Sequence, residues 1–394
     1  MHPVFSRLRI GAYILAPYAR TEAHVRDLAD AGIDLLFATE YDKPLFDLLS
    51  KYGVGAMVTR VVPGWFGGTG DNAGTMREKR PIEVYAKRAE AFADHPAVWG
   101  IDVGDEPSSK DFLHLGQVID AVQKAFPNRL AYLNLYPSYG MLASNSPEQT
   151  QRELGCDSYA DYLQAYCKHV QTDYISLDHY PFSSDPDRFF ADLEVVSHFC
   201  REYKRHLWIV LQVNSHDPAC RMTLSQLRFQ AYNALAYGAK CISWACYSAG
   251  WWHHQVLDDK GEKTEQYEKL KTVNQELRAL ASRYDDFQWR ASTRVTDEPC
   301  ELMEHSSFVR LSVSKGPFVT VGQMRNPLQE ALFVASSSFD AGEDSVLQFQ
   351  VRASSRVYMH LPTGERELIA DTDGFFRVRI PSACGCMLLL RSPK

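Results

Sequence analysis

No stretch of this 394-residue sequence approaches the roughly 18 consecutive apolar residues that a membrane-crossing helix needs, so no such helix is expected. Positive charge is also scarce: 42 Lys and Arg stand against 49 Asp and Glu, a net charge of -7. A mildly acidic chain has no general attraction for phosphate backbones or anionic lipid, which excludes nucleic acid and membrane surfaces as main partners. Residues 1–17 lack a basic segment followed by an apolar run and a small-residue cleavage site, and a cytoplasmic protein is expected. The nine cysteines are odd in number and scattered, as suits reduced thiols. Cys384 and Cys386 have no matching second pair, so no zinc site is expected from them.

Two further motifs are missing after the first apolar run. Ala16-Pro17-Tyr18-Ala19-Arg20 is not a glycine-rich phosphate loop, which argues against a doubly wound nucleotide-binding sheet. Ile10-Gly11-Ala12-Tyr13-Ile14 contains no His-x-His, and His179, His216 and His253 have no ligand spacing. Neither a metal nor a cofactor is expected.

Aromatic residues are plentiful: 20 Tyr, 20 Phe and 7 Trp. A large core accounts for most of them, and some could stack on the apolar faces of sugar rings. Along the first three quarters of the chain, short apolar runs alternate with helix-period segments. Strands are expected at 8–16, 33–39, 54–60, 97–103, 130–136, 174–179, 207–213 and 241–247. Helices are expected at 21–31, 44–52, 81–93, 111–126, 159–170, 189–203, 223–238 and 265–284. Thr223-x-x-Gln226 is a capping-box pattern at one helix start. The strands are almost continuously apolar, as where both sheet faces are buried. Eight strand–helix units are the count of a (β/α)8 barrel. From about residue 289 the helical period stops, and short alternating runs separated by Gly, Asp and Ser predict a small antiparallel β-sandwich. The expected domains are therefore a barrel over 1–288 and a sandwich over 289–394.

Barrel enzymes build their sites at the C-terminal strand ends. Here these ends carry Glu40, the run Gly104-Asp105-Glu106-Pro107, Asn134 and Tyr136, Asp178-His179-Tyr180, Gln212 and Asn214, and Trp244. Trp65, Trp251 and Trp252 lie in loops beyond strand ends, where aromatics suggest a binding wall. Carboxylates supply acid/base chemistry, amides and His hold hydroxyl groups, and aromatics stack on rings; the combination suits glycoside hydrolysis. Each residue also has a structural alternative. Glu106 could favour a helix dipole and Asp105 could cap it. Asp178 could hold a neighbouring His or Arg, and Trp244 could be core. Successive strand side chains alternate, so His179 and Tyr180 cannot both face the mouth equally.

Gly104-Asp105-Glu106-Pro107 resembles the Asn-Glu-Pro signature at the fourth strand of clan A glycoside hydrolases, the cellulase-like and galactosidase-like barrels. His179-Tyr180 and Trp244 are similar to active-site residues on the sixth and eighth strands of those barrels. The resemblance spans residues 8 to 285. It implies that Glu106 is the general acid/base and that a second glutamate ends strand seven. Two positions depart from the pattern: Asp105 stands in place of Asn, and Gln212 in place of the nucleophilic Glu. A neutral amide cannot form a glycosyl ester, which leaves three routes. The second carboxylate comes from another strand, Asp178 first and Glu40 next; or Asp105 works with Glu106 by substrate assistance; or the barrel binds sugar without cleaving it. A carbohydrate is the expected partner, and a homo-oligomer is compatible with the sequence.

Overall fold

The computed structural model describes all residues except 1–2, 63–64, 141–145, 184, 249, 251, 304, 353–354 and 392–394, together with the side chain of residue 3. Trp251, expected at a binding wall, lies outside the described residues. Two compact units group by contact, 1–221 with 241–267 and 222–240 with 268–394.

The first unit holds the strand–helix repeat. Its strands are β1 (Arg9–Tyr13), β2 (Leu35–Thr39), β3 (Gly55–Val58), β4 (Val98–Asp105), β5 (Leu130–Asn134), β6 (Tyr174–Asp178), β7 (His206–Gln212) and β8 (Ala239–Ala245). Between them lie α1 (Glu22–Asp30), α2 (Lys43–Lys51), α3 (Met76–Lys79), α4 (Ile82–Ala89), α5 (Phe112–Ala125), α6 (Pro147–Glu153), α7 (Tyr159–His169) and α8 (Pro186–Glu202). The strand order β5-β4-β3-β2-β1-β8-β7-β6 is closed by a parallel bridge from Leu135 to Leu177, giving the eight-stranded barrel that the alternation predicts. α3 and α6 sit inside segments expected to be loops, where no apolar period marks them. Polar side chains start the helices: Thr21, Ser146, Ser158 and Asp185 each accept from a first-turn backbone N–H.

The barrel interior is filled with rings. Tyr13 stacks on Phe37 at 4.9 Å, Tyr132 tilts against Phe37 at 4.8 Å, and Tyr174 stacks on Trp208 at 4.9 Å. Much of the aromatic content therefore serves packing. Ile14, Arg60 and Glu106, just past β1, β3 and β4, adopt positive φ, so three strands end in abrupt left-handed steps at the mouth.

In the second unit, a three-stranded sheet, β10 (Phe308–Lys315), β13 (Ser345–Val351) and β16 (Phe376–Ile380), shares one apolar core with a six-stranded sheet. The latter contains β9 (Gln288–Val295), β11 (Val319–Arg325), β12 (Glu330–Ser336), β14 (Arg356–Leu361), β15 (Gly364–Leu368) and β17 (Gly385–Arg391). This is the expected antiparallel sandwich. Helix α9 (Leu224–Ala236), whose capping box at Thr223 forms as its spacing predicts, packs on it. A β-carbon at Gly322 would overlap the Ala236 carbonyl oxygen, so glycine is what lets helix and sheet touch. Ser292 Oγ and Trp289 Nε1 donate to that same oxygen at 2.7 and 3.1 Å. Helix α10 (Glu265–Tyr284) joins this unit from residue 268 onward.

Candidate active site

β4 carries its acids into the mouth. Asp102 accepts from Thr59 Oγ1 at 2.9 Å and from the Gly104 N–H at 3.1 Å, yet burial raises its carboxyl to about 6. The β4–β5 register shifts between Asp102 and Gly104. Beyond that bulge Asp105 pairs with Asn134, and Glu106 turns into the left-handed region at φ 46°. Its N–H donates to the Asn134 carbonyl at 3.0 Å. The loop after β3 lies directly over this turn. The Gly67 N–H donates to the Asp105 carbonyl at 3.2 Å, and a β-carbon at Gly67 would overlap the Glu106 carbonyl. A non-glycine residue held at positive φ costs on the order of 1 kcal/mol, and here the surrounding contacts over-determine it.

Across the mouth, β5 and β6 contribute Asn134 and Asp178. Asn134 Nδ2 donates to Asp178 Oδ1 at 3.0 Å, and the same side chain hydrogen-bonds Asp105. The Tyr180 hydroxyl also supports Asp178. Burial raises Asp178 to about 6, with these hydrogen bonds pulling the other way. Glu106, only 6 % exposed, is held well above the usual carboxylate range, first by burial and then by the charges of Asp178, Asp105 and Glu153. Asp105 is raised likewise, by burial and by Asp102 and Asp178. Among the described residues, no Lys or Arg forms an ion pair with Asp102, Asp105, Glu106 or Asp178. Buried like charges without a paired Lys or Arg raise the carboxyls of such a cluster.

The other expected site residues divide. Tyr136 is fully buried, and burial first, then the charges of Glu106, Glu153, Asp105 and Asp178, raise its hydroxyl. That hydroxyl has no hydrogen-bond partner among the described residues. Tyr180 packs edge-on against Trp252 at 4.5 Å, and Trp252 lies 3.9 Å from the His216 ring. These two aromatics join Val210, Ala245 and Cys246 in one apolar wall.

The structure turns other candidates elsewhere. His179 is fully buried between Tyr139 and Phe189, its Nε2 3.3 Å from Asp192 of α8, so of the alternating pair it is Tyr180 that reaches the cluster. Gln212 is fully buried; its Oε1 accepts from the Phe182 N–H at 2.8 Å and its Nε2 donates to the Asn214 carbonyl at 3.2 Å. Asn214 is occupied by the Cys246 backbone, donating to its carbonyl and accepting from its N–H, both at 2.7 Å. Ser243 and Ala245 face the barrel interior, which places Trp244 on the opposite, fully buried face of β8. Trp65 is buried, packs toward Gly104 and lies 5.9 Å from the Arg80 guanidinium. Glu40 sits exposed in an ion pair with Arg60 at 2.9 Å, outside the carboxyl cluster.

Four participants escaped the sequence reading. Asp102 lies three residues before Asp105, and only the bulge brings both to one cluster. Glu153 ends α6, in a segment without apolar period, and is buried beside Glu106 and Tyr136. Tyr13 and Tyr132 read as core. The Asp-Glu doublet and the chain of carboxylates at strand ends were the usable signal. No group of three His, Cys, Asp or Glu side chains among the described residues is arranged to hold a metal. A concavity of about 680 Å³ lies in the second unit, but its acids Asp285, Asp286 and Glu330 are tied to Lys240, Arg283, Ser306 and Ser307.

No family model matches the sequence, and no curated protein does. Solved structures do match. A catalytic mutant of a GH42 β-galactosidase from G. stearothermophilus aligns over 98% of each chain with a TM-score of 0.61 at 9% identity. The fold is that of these glycoside hydrolases. A family 5 glycoside hydrolase from Bacteroides vulgatus aligns over 97% of this chain and 89% of its own, TM-score 0.54, 10% identity. A β-galactosidase from Marinomonas ef1 gives 0.53 at 13%, covering 73% of this chain; this chain spans 63% of that enzyme's length.

Proposed function

We propose that the barrel expected over residues 1–288 is a glycoside hydrolase, with Glu106 as general acid and Asp178 as the second carboxylate. The observation that carries this reading is the unequal supply of hydrogen-bond donors to two acids of one cluster: Asn134 and Tyr180 both serve Asp178. Glu106 is pushed well up by burial and three like charges, so it holds a proton to donate to the departing glycosidic oxygen. Asp178 meets donors from Asn134 and Tyr180 and stands at about 6, so it is ionised at neutral pH. Environments that drive two acids apart assign their roles. Ionised Asp178 activates a water or attacks the anomeric carbon, and its charge stabilises the oxocarbenium-like transition state. Charges on Asp105 and Glu106 disfavour each other, so the pair resists double ionisation. Gln212 needs no part in the chemistry, since its amide holds the turn after β6. Tyr180 and Trp252 offer the apolar wall for a sugar face. The β-galactosidase and family 5 neighbours share the barrel on which this site would sit.

The test is a panel of nitrophenyl glycosides. Glu106→Gln should lower kcat by about 10²–10⁴ while sugar binding persists. Asp178→Asn should do the same. Product anomers followed by NMR then separate inversion from retention. Turnover unchanged in Glu106→Gln refutes the acid assignment, and sugar binding without turnover in the unmodified protein favours a binding barrel.

A further inference from the structure

A chain of hydroxyls runs from the barrel interior to Asp178. Tyr13 OH lies 2.5 Å from Tyr132 OH, which lies 3.0 Å from Ser176 Oγ. Ser176 Oγ donates to Asn134 Oδ1 at 3.0 Å, and Asn134 Nδ2 donates to Asp178 Oδ1 at 3.0 Å. Each hydroxyl has one proton to give. Because Ser176 spends its proton on Asn134, Tyr132 must donate to Ser176, and Tyr13 to Tyr132. The chain therefore has a single polarity, and its last member presents N–H groups to the acids.

That polarity and the orientation of the Asn134 amide go together. Flipped, the amide would set a carbonyl oxygen against Asp178, and only a protonated Asp178 could donate to it. Ser176 Oγ could accept from the flipped NH2 group only if the whole chain reversed, which would leave the Tyr13 hydroxyl proton without an acceptor among the described residues. Ser176 lies two residues before Asp178 on β6, so both point into the barrel, and Asn134 on β5 spans the gap between them.

Resting on the glycosidase reading above, we infer that Ser176 is a positioning residue: it locks the Asn134 amide so that its N–H groups hold Asp178 ionised while Glu106 keeps its proton. The division of labour between the two carboxyls then depends on a hydroxyl that touches neither. The other groups acting on Asp178 are Asp105 and Glu106 from β4, Tyr136, Tyr139 and Tyr159 from the segments after β5, and His179 and Tyr180 beyond β6. Of these, charges on Asp105 and Glu106 disfavour ionisation of Asp178, whereas Tyr180 and Asn134 donate to it and His179 favours its charge. Losing one oriented donor should therefore be visible against that background.

The experiment is a carboxyl titration of the full-length protein carrying ¹³C at aspartate carboxyls, with the Asp178 signal assigned by its loss in Asp178→Asn. Ser176→Ala should raise the Asp178 midpoint by about one pH unit, the scale of one charge-assisted hydrogen bond. The acidic limb of kcat/KM should move with it. Ser176→Thr, which keeps the hydroxyl, should restore both. Ser176→Cys, close in volume but a weak donor, should shift the midpoint in the same direction and covers the event that alanine unsettles the interior. In an Asn134→Ala background, Ser176→Ala should move nothing further. An Asp178 midpoint indifferent to alanine and cysteine at 176, or additive shifts in the double variant, overturns the inference. Because the titration reads the carboxyl directly, it decides the point even if the protein hydrolyses no glycoside, an outcome that would sink the glycosidase reading alone.

Discussion

Asp102 offers a measurement in which sign and size both follow from its surroundings. Its carboxyl stands at about 6 in the folded protein because burial outweighs the donors Thr59 and Gly104 and the distant Arg80. An unfolded aspartate titrates near about 3.9. The folded state therefore binds the proton more tightly. Its contribution is fully present below pH ~4, is lost as pH rises towards ~6, and is absent above. The gap of about two units corresponds to about 3 kcal/mol. Asp102→Asn removes the charge and keeps the shape. The amide oxygen can still accept from Gly104 N–H, and the Thr59 hydroxyl can turn to accept from the new NH2. Urea unfolding should then show the variant close to wild type at pH 4 and more stable by about 3 kcal/mol at pH 8. The Asp102 charge is also among those that raise Asp105, so Asp105 should titrate lower in the variant. A variant less stable than wild type at pH 8, or a gap that ignores pH, would mean that Asp102 is ionised and paired in the native barrel, and the argument for a cation-poor cluster would fail with it.

Gly67→Ala places a methyl on the Glu106 carbonyl oxygen, so the loop or the strand end must move; a drop in melting temperature together with a loss of turnover is expected, and a silent variant would refute the close approach. Tyr136→Phe removes a buried hydroxyl that has no partner, and calorimetry should show stability unchanged or raised by about 1 kcal/mol rather than lowered. With Asp105, Glu106, Asp178 and Glu153 gathered at one place, glycosides of uronic acids should show kcat/KM at least about tenfold below their neutral counterparts, a difference that direct competition would reveal. The pH profile of kcat/KM should be bell-shaped: rising through about 6 as Asp178 ionises, falling at higher pH as Glu106 gives up its proton.

The barrel was legible because its signal is repeated: eight apolar runs, each followed by a helical segment, leave few other arrangements. The placing of the candidate residues was legible only where strand position alone decides it. Glu106 and Asp178 meet that condition, since both come at strand ends. Trp244 does not, because its place on β8 depends on which of two faces the strand presents, and the interior takes Ser243 and Ala245 instead. His179 fails on the same alternation, in favour of Tyr180. Straight alternation would also set Asp105 on the face opposite Glu106. The bulge after Asp102 and the left-handed step at Glu106 bring both carboxyls to Asn134 and Asp178, and neither feature follows from local composition. The largest gap between resemblance and residues, Gln212 where a glutamate was wanted, has a local use: the amide closes the turn that follows β6. That same turn carries Tyr180, which supports Asp178. On the proposed reading, an amide on one strand thus steadies the carboxylate of its neighbour. Gln212→Glu would then not create a nucleophile; it would bury a further acid facing the Phe182 N–H and push Asp178 toward its protonated form. Lower activity in that variant, with the acidic limb shifted to higher pH, is the outcome this arrangement requires.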